Sequence, residues 1–255
     1  MTVALPQAFL RRPLAHRALH DVARGRPENS RAAVQAAVDA GYGIEIDVQM
    51  SADAQAMVFH DDALDRLAEG EGAVRAVSAQ ALGQIPLKGG TEGIPDLPEI
   101  LSLVAGRVPL LIEIKDQDGA LGPDIGPLEA AVAAALADYE GPVAVMSFNP
   151  HAVMRMAELC PEVPRGLVTD AFDAAHWPIP EARRVELRAI PDYDRTGCSF
   201  ISHNWHDLDR PRVAQLKAQG AQILCWTVKS AEDEAKARKI AQNITFEQYR
   251  APLPA

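Results

Sequence analysis

Aromatic side chains are scarce in this chain, at 5% of 255 residues, and cysteines number only three. Cys160, Cys198 and Cys225 are odd in number and far apart, which excludes a disulfide framework, and no pair has metal-ligand spacing. The expectation is buried, reduced thiols in a cytoplasmic protein. Long hydrophobic runs are missing too, since none approaches the ~20 residues of a membrane-spanning helix. The first residues lack the order of a secretion signal, because Arg11-Arg12 follow a weak apolar stretch rather than precede a long one. Positive clusters are also absent. Net charge is −10, and Arg183-Arg184 and Lys236–Lys239 are interleaved with acids or lie on helix-like stretches, so they read as solvated faces. That excludes a nucleic-acid surface, which needs clustered Lys and Arg. No aromatic or basic stretch suits stable membrane association, and nothing in the sequence fixes an oligomeric state.

What is present is a 48% hydrophobic chain rich in Ala, Val, Leu and Ile, organised as alternating strand-like and helix-like segments. Strands are expected at Pro13–Arg17, Gly43–Val48, Val108–Ile114, Val143–Ser147, Arg165–Thr169, Ser199–Ser202, Gln222–Val228 and Asn243–Phe246. A helix from about Ser30 to Ala40 is capped by Asn29 or Ser30 and stopped by Gly41. Asp96 with Glu99 caps another, and Ser230 with Asp233 resembles a capping box. Eight strands with helical material between them predict an α/β fold, a closed (β/α)₈ TIM barrel forming one domain over 1–255. A doubly wound open sheet is the rival, but its Gly-rich phosphate-binding turn is absent after the first strand. Gln49–Gln55 is too short for a crossover helix and predicts a hairpin turning near Ala52-Asp53-Ala54, with His60 opposite Asp47. From about 62 to 97, small and charged residues with a short helix near Ser78–Leu82 predict a small helical insertion after that hairpin, a cap beside the site.

Four polar clusters stand at the ends of apolar runs: His16-Arg17, Glu45-Ile46-Asp47, His60-Asp61 and Glu113-Ile114-Lys115. Residues two apart in a strand share a face, so Glu45 shares one with Asp47 and Glu113 with Lys115. In eight-stranded barrels the C-terminal strand ends build the active site. Burying such charges is costly without a compensating cation or counter-charge. Three convergent carboxylates suit a hard divalent cation, Mg²⁺ or Ca²⁺. Arg17 can bind phosphate bidentately, and Lys115 offers a point charge. Two histidines on opposite sides of a phosphorus supply a base and an acid. Singly, each cluster is an ordinary surface or ion-pair feature; their conjunction at strand ends makes a metal-dependent phosphate-ester site.

The series Leu14-Ala15-His16-Arg17, Pro27-Glu28-Asn29-Ser30, Glu45-Ile46-Asp47-Val48, Phe59-His60-Asp61 and Ile112-Glu113-Ile114-Lys115 resembles the glycerophosphodiester phosphodiesterase family. Ser147-Phe148 and Cys225-Trp226-Thr227-Val228 are similar to its later motifs, so the likeness spans about residues 13 to 228. It implies a barrel hydrolase that releases sn-glycerol 3-phosphate and an alcohol from glycerophosphodiesters. By this resemblance Glu45, Asp47 and Glu113 are metal ligands, and His16 and His60 the acid–base pair. Arg17 and Lys115 hold phosphate, Glu28 orients Arg17, Asn29 supports the loop, and Phe148 and Trp226 wall the glycerol side. One histidine deprotonates the glycerol 2-hydroxyl for attack on phosphorus while the other protonates the leaving alcohol; direct attack by water is the variant.

Three positions depart from the family pattern. Ala18 stands where the family has glycine after His-Arg, a residue that permits unusual φ. Ser30 replaces threonine. The terminal strand ends in Glu247 where an aspartate is usual. Two other functions are the alternatives: a related barrel phosphodiesterase acting on a lysophospholipid or a phosphoinositide-like head group, which an exposed apolar rim would favour, or a catalytically impaired homologue that binds glycerophosphodiesters, for which Ala18 is the one supporting feature. His20 and Asp21 read as a surface loop pair, one of His203, Asn204, Trp205 and His206 is a candidate for touching substrate, Asp116 and Asp118 read as solvated loop acids, and Cys225 as packing.

Overall fold

Strands buried on both faces need apolar side chains on both, and parallel strands flanked by helices are buried in that way. The strands here meet that demand in a computed structural model describing residues 2–254. They are β1 (Leu14–Ala15), β2 (Gly43–Met50), β3 (Ala56–Val58), β4 (Leu110–Ile114), β5 (Val143–Ser147), β6 (Arg165–Thr169), β7 (Phe200–Asn204), β8 (Gln222–Val228) and β9 (Asn243–Phe246). Hydrogen-bonded order runs β1-β9-β8-β7-β6-β5-β4-β2, and β1 also pairs with β2, which closes the barrel. All eight barrel strands are parallel. The (β/α)₈ expectation is met.

Alternation along β2 and β4 sorts the side chains. Ile44, Ile46, Val48, Leu110, Ile112 and Ile114 pack outward with the helices, which leaves Glu45, Asp47, Leu111 and Glu113 on the opposite, lumenal face. Leu14, Leu111, Ala144, Met146, Val168, Phe200 and Leu224 fill the lower lumen. Phe9, from a helical turn the sequence did not announce, α1 (Ala8–Arg11), belongs to the same cluster and is fully buried. Asn243 Nδ2 donates to the carbonyls of Phe9 and Arg12, both at 2.6 Å, and so fixes α1 to the barrel. An apolar floor thus lies beneath polar groups carried at the C-terminal strand ends.

α2 (Arg31–Ala40) starts where expected, with Ser30 Oγ accepting from the Ala33 amide, and ends at Gly41 in the left-handed region, φ 78°. α3 (Ala79–Leu82) is the single α-helical turn of the insertion. α4 (Leu97–Val104) carries the reciprocal capping box of Asp96 and Glu99. The remaining helices are α5 (Leu128–Leu136), α6 (Pro150–Leu159), α7 (Glu181–Arg188), α8 (Pro211–Ala218) and α9 (Ala231–Ala237). At α9 Ser230 Oγ accepts from the Asp233 amide, but the Asp233 carboxylate accepts from the Ser230 hydroxyl, so the reciprocal backbone half of a capping box is absent. Among the described residues no helix is long and apolar enough to cross a membrane.

Two strand expectations need adjustment. β1 stops at Ala15 because Arg17 and Ala18 both turn to positive φ, 51° and 64°. The β2–β3 hairpin exists, but its register pairs Val48 with Val58. Phe59 therefore faces Asp47 and donates its amide to the Asp47 carbonyl at 3.0 Å. His60 lies one residue further on than the turn position implied. The turn centre alone could not settle a slip of one residue, whereas the Val48–Val58 pairing of outward apolar side chains does. Beyond the hairpin the insertion has its own small core of Met57, Phe59, Leu64, Ala68, Val74, Leu82, Leu87 and Ile94.

Candidate active site

Lumenal alternation brings the three carboxylates together. Glu45, Asp47 and Glu113 are buried, and each offers an oxygen within 4.8 Å of the others. Like charges this close cannot all be ionised without compensation. Lys115 Nζ sits 2.7 Å from Asp47 Oδ1 and 2.5 Å from Glu113 Oε1. Arg17 adds its backbone amide to Glu45 Oε2 at 2.9 Å and brings its Nε to 3.7 Å from Asp47. Asn29 Nδ2 donates to Asp47 Oδ2 at 2.9 Å.

The cluster splits its titrations accordingly. Burial, with Asp47 and Glu113 adding to it, drives the Glu45 carboxyl well above the usual range. Burial would raise Asp47 too, but Lys115, His60 and Arg17 outweigh it and hold Asp47 low. Lys115 is raised against the pull of burial by Asp47 and Glu113. Such a set of hard oxygen donors fits Mg²⁺ or Ca²⁺.

Each predicted histidine is held by a carboxylate through Nδ1. His16 Nδ1 donates to Glu247 Oε2 at 2.7 Å, which leaves Nε2 as the acceptor. Burial pulls the His16 imidazole below its ordinary value, with Glu247 opposing. Glu247 thus orients His16, and Lys229 Nζ binds its other oxygen at 2.8 Å. His60 Nδ1 lies 2.6 Å from Asp61 Oδ1, and the His60 carbonyl accepts from Gln49 Nε2 at 3.1 Å.

A guanidinium from the insertion ties these parts together. Arg66 Nη2 donates to Asp61 Oδ1 at 2.6 Å and to Glu28 Oε1 at 3.3 Å. The same Glu28 oxygen accepts from Arg17 Nη1 at 2.7 Å. Arg17 Nε, by contrast, is buried with no hydrogen-bond partner. An orphan donor of this kind is what a phosphate oxygen would satisfy.

All but two of the predicted site residues line a cavity of about 100 Å³; its lining includes His16, Arg17, His60, Lys115, Phe148 and Trp226 as well as the three carboxylates. Glu28 and Asn29 stand behind Arg17 and Asp47, where their hydrogen bonds place them. Trp226 Nε1 donates to the Ser202 carbonyl at 2.9 Å, and its ring meets that of Phe148 edge-on at 5.6 Å. A wider cavity of about 510 Å³ is lined in part by Glu247 and His20 but by neither His16 nor His60, nor by any of the three clustered carboxylates.

Some residues belong elsewhere. His203 is fully buried, held by Thr169 Oγ1 at 2.8 Å and within 3.2 Å of Asp207, so it packs β7 rather than facing the cavity. Asn204 donates to Asp170. Cys225, like the other two cysteines, is a buried free thiol. His20 comes within 3.7 Å of Glu247 and is therefore more than a surface loop residue. Arg66 and Trp177 were not singled out from the sequence. Asp61 was legible only as part of a motif, whereas Arg66 and Trp177 sit in irregular segments that carry no periodicity.

Ala18 adopts the left-handed conformation that explains a glycine there, and it is 2% exposed. An L-residue pays roughly 1–2 kcal/mol for that region. Ala18→Gly should keep activity and change stability by no more than about 1 kcal/mol, because relief of φ is offset by a freer unfolded chain. Ala18→Val, β-branched and buried, should lose about 3 kcal/mol. Thermal melting compares the three, and a valine variant as stable as the parent would contradict this reading of the loop.

Known phosphodiesterases share this barrel. It matches a phosphodiesterase of Oleispira antarctica, solved in complex with the product sn-glycerol-3-phosphate, with TM-score 0.77 and 25% identity, covering 95% of this chain and 94% of that one. A glycerophosphodiester phosphodiesterase of Thermotoga maritima has the same fold, with TM-score 0.68, 20% identity and coverage of 91% and 92%. The sequence is 28% identical over 217 residues to a glycerophosphodiester phosphodiesterase of Caldanaerobacter subterraneus subsp. tengcongensis, covering 81% of this chain and 82% of that protein. Residues 16–243 match the Glycerophosphoryl diester phosphodiesterase family. The chain belongs to that family, and it is an enzyme of the phosphoric diester hydrolase class.

Proposed function

We propose that this protein hydrolyses glycerophosphodiesters to sn-glycerol 3-phosphate and an alcohol, using a divalent cation, Mg²⁺ or Ca²⁺, and His16 and His60 as its base and acid. The observation that carries the reading is the placement of two carboxylate-held imidazoles around one cavity that also holds Glu45, Asp47 and Glu113. Glu45, Asp47 and Glu113 would hold the cation, which supplies positive charge for the phosphoryl oxygens and lowers the pKa of a bound hydroxyl. Arg17 meets the phosphate through its orphan Nε, while Glu28 fixes the other side of the guanidinium. Asn29 keeps Asp47 in place. Lys115 spends two of its three N–H groups on Asp47 and Glu113, leaving one for a phosphate oxygen. Phe148 and Trp226 wall the glycerol.

His16, kept neutral by burial and oriented by Glu247, takes the proton of the glycerol 2-hydroxyl as that oxygen attacks phosphorus. His60 gives a proton to the departing alcohol oxygen as the P–O bond breaks. Water then opens the cyclic phosphate with the two roles reversed. Single-turnover trapping of the cyclic phosphate separates this course from direct attack by water. A lysophospholipid substrate calls for an apolar rim, but the exposed large hydrophobics among the described residues, Val22, Val185 and Leu253, line neither the cavity beside His16 nor the one beside His60.

The deciding experiment measures sn-glycerol 3-phosphate released from glycerophosphocholine and glycerophosphoethanolamine with Mg²⁺, with Ca²⁺ and with EDTA. Release that depends on the cation supports the assignment. Folded protein that releases nothing with either ion refutes it.

A further inference from the structure

Beyond the glycerol-sized cavity a second one opens, of about 390 Å³, and the two share His60, Glu113, Lys115 and Phe148. It does not reach His16. An alcohol that takes its proton from His60 therefore departs into this second space, which makes its lining the head-group environment. That lining is not neutral. Phe148 and Trp177 contribute rings whose centroids lie 4.8 Å apart, and Leu121 closes the wall. Trp177 is anchored by its Nε1 donating to Asp170 Oδ2 at 2.8 Å, so the indole is held rather than free to turn away.

Three aspartates complete the lining: Asp61, Asp62 and Asp116. Asp61 is paired with Arg66 and hydrogen-bonded to His60. Asp116 accepts from the Leu121 amide at 3.1 Å and Asn149 Nδ2 at 2.7 Å, and its one charged neighbour in hydrogen-bonding reach is a second carboxyl, Asp118. Neither Asp116 nor Asp62 has an ion-pair partner among the described residues. The basic groups of the lining are themselves committed, Lys115 to Asp47 and Glu113, and His60 to Asp61. Two uncompensated carboxylates beside two aromatic rings lack only a cation, and an alkylammonium group meets both at once, by charge and by cation–π attraction.

We infer that this cavity is a head-group subsite for an alkylammonium alcohol, with Trp177, Asp62 and Asp116 setting the preference. The inference rests on the proposed hydrolysis of glycerophosphodiesters. Cationic head groups gain contacts here that glycerol or inositol head groups do not, and anionic ones are repelled.

The test compares kcat/KM for glycerophosphocholine with that for glycerophosphoglycerol in the parent, Trp177→Leu and Asp62→Asn. The parent should favour the choline ester by about 10-fold, and each variant should cut that ratio by about 3- to 10-fold, the span of one such contact. Asp62 is exposed, so its variant folds even if Trp177→Leu does not. Tetramethylammonium should inhibit competitively and quench tryptophan fluorescence saturably in the parent, an effect weakened in Asp62→Asn. Equal rates on both esters in the parent, or variants that slow both equally, would overturn the subsite. If no glycerophosphodiester is hydrolysed, the proposed function fails, and the quenching decides the subsite by itself: saturable quenching keeps it, and none removes it.

Discussion

Replacing His16 by alanine should lower kcat for glycerophosphodiester hydrolysis by about 10³-fold, within the range expected for losing a general base. Glu247→Gln should lower it less, because the imidazole remains but loses the carboxylate that fixes its tautomer. The pH profile distinguishes this role from simple structural damage. In the proposed mechanism neutral His16 is the active form, so activity should rise with pH through its pKa, and the acidic limb of kcat/KM should lie below the ordinary histidine value of 6.5 because burial lowers His16. Glu247 opposes that lowering, so removing its charge should move the limb further toward acid even as kcat falls. Measuring product release between pH 4 and 9 for the three proteins reads both effects at once. A His16→Ala enzyme within threefold of the parent would sink the assignment.

Adding Mg²⁺ or Ca²⁺ should raise the melting temperature by about 5–10 °C at a hundredfold excess over Kd, the shift expected for a ligand bound only by the folded state. The rise should be larger at the higher of two pH values lying between the usual carboxylate range and the folded pKa of Glu45. Glu45 is raised in the folded protein above its unfolded value by burial and by Asp47 and Glu113. A carboxyl raised in this way binds more protons folded than unfolded. The cation-free protein therefore loses that contribution as pH climbs from the usual carboxylate range toward the folded pKa. A cation needs the ionised form and displaces the proton, so it gains affinity over the same interval. Differential scanning calorimetry at the two pH values, with and without cation, checks the sign. An increment that is equal at both, or absent with both ions, contradicts a cation site at Glu45, Asp47 and Glu113.

The lumen was legible because strand alternation is periodic. Ile44-Glu45-Ile46-Asp47-Val48 reads as outward apolar and inward acid before any coordinates are known, and the parallel pairing of Asp47 with Glu113 then brings those acids together. Short or irregular features were harder to read. α1 is one turn of helix, and its meaning comes from Asn243, more than 200 residues away. The hairpin slip at His60 turned on a single residue of register. Arg66 and Trp177 lie in segments without periodicity, and their partners Glu28 and Phe148 are remote in sequence. Ala18 was visible only as a departure from the family, and its left-handed φ supplies the reason for that glycine.

Arg66 stands with one hand on Asp61 and the other on Glu28, and Arg31 likewise reaches both Glu92 and the Gly93 carbonyl at the far end of the same segment. A segment tied near each end to the loop and helix that follow β1 is a fixed awning rather than a door. Cutting both ties, with the barrel untouched, would free that segment to move.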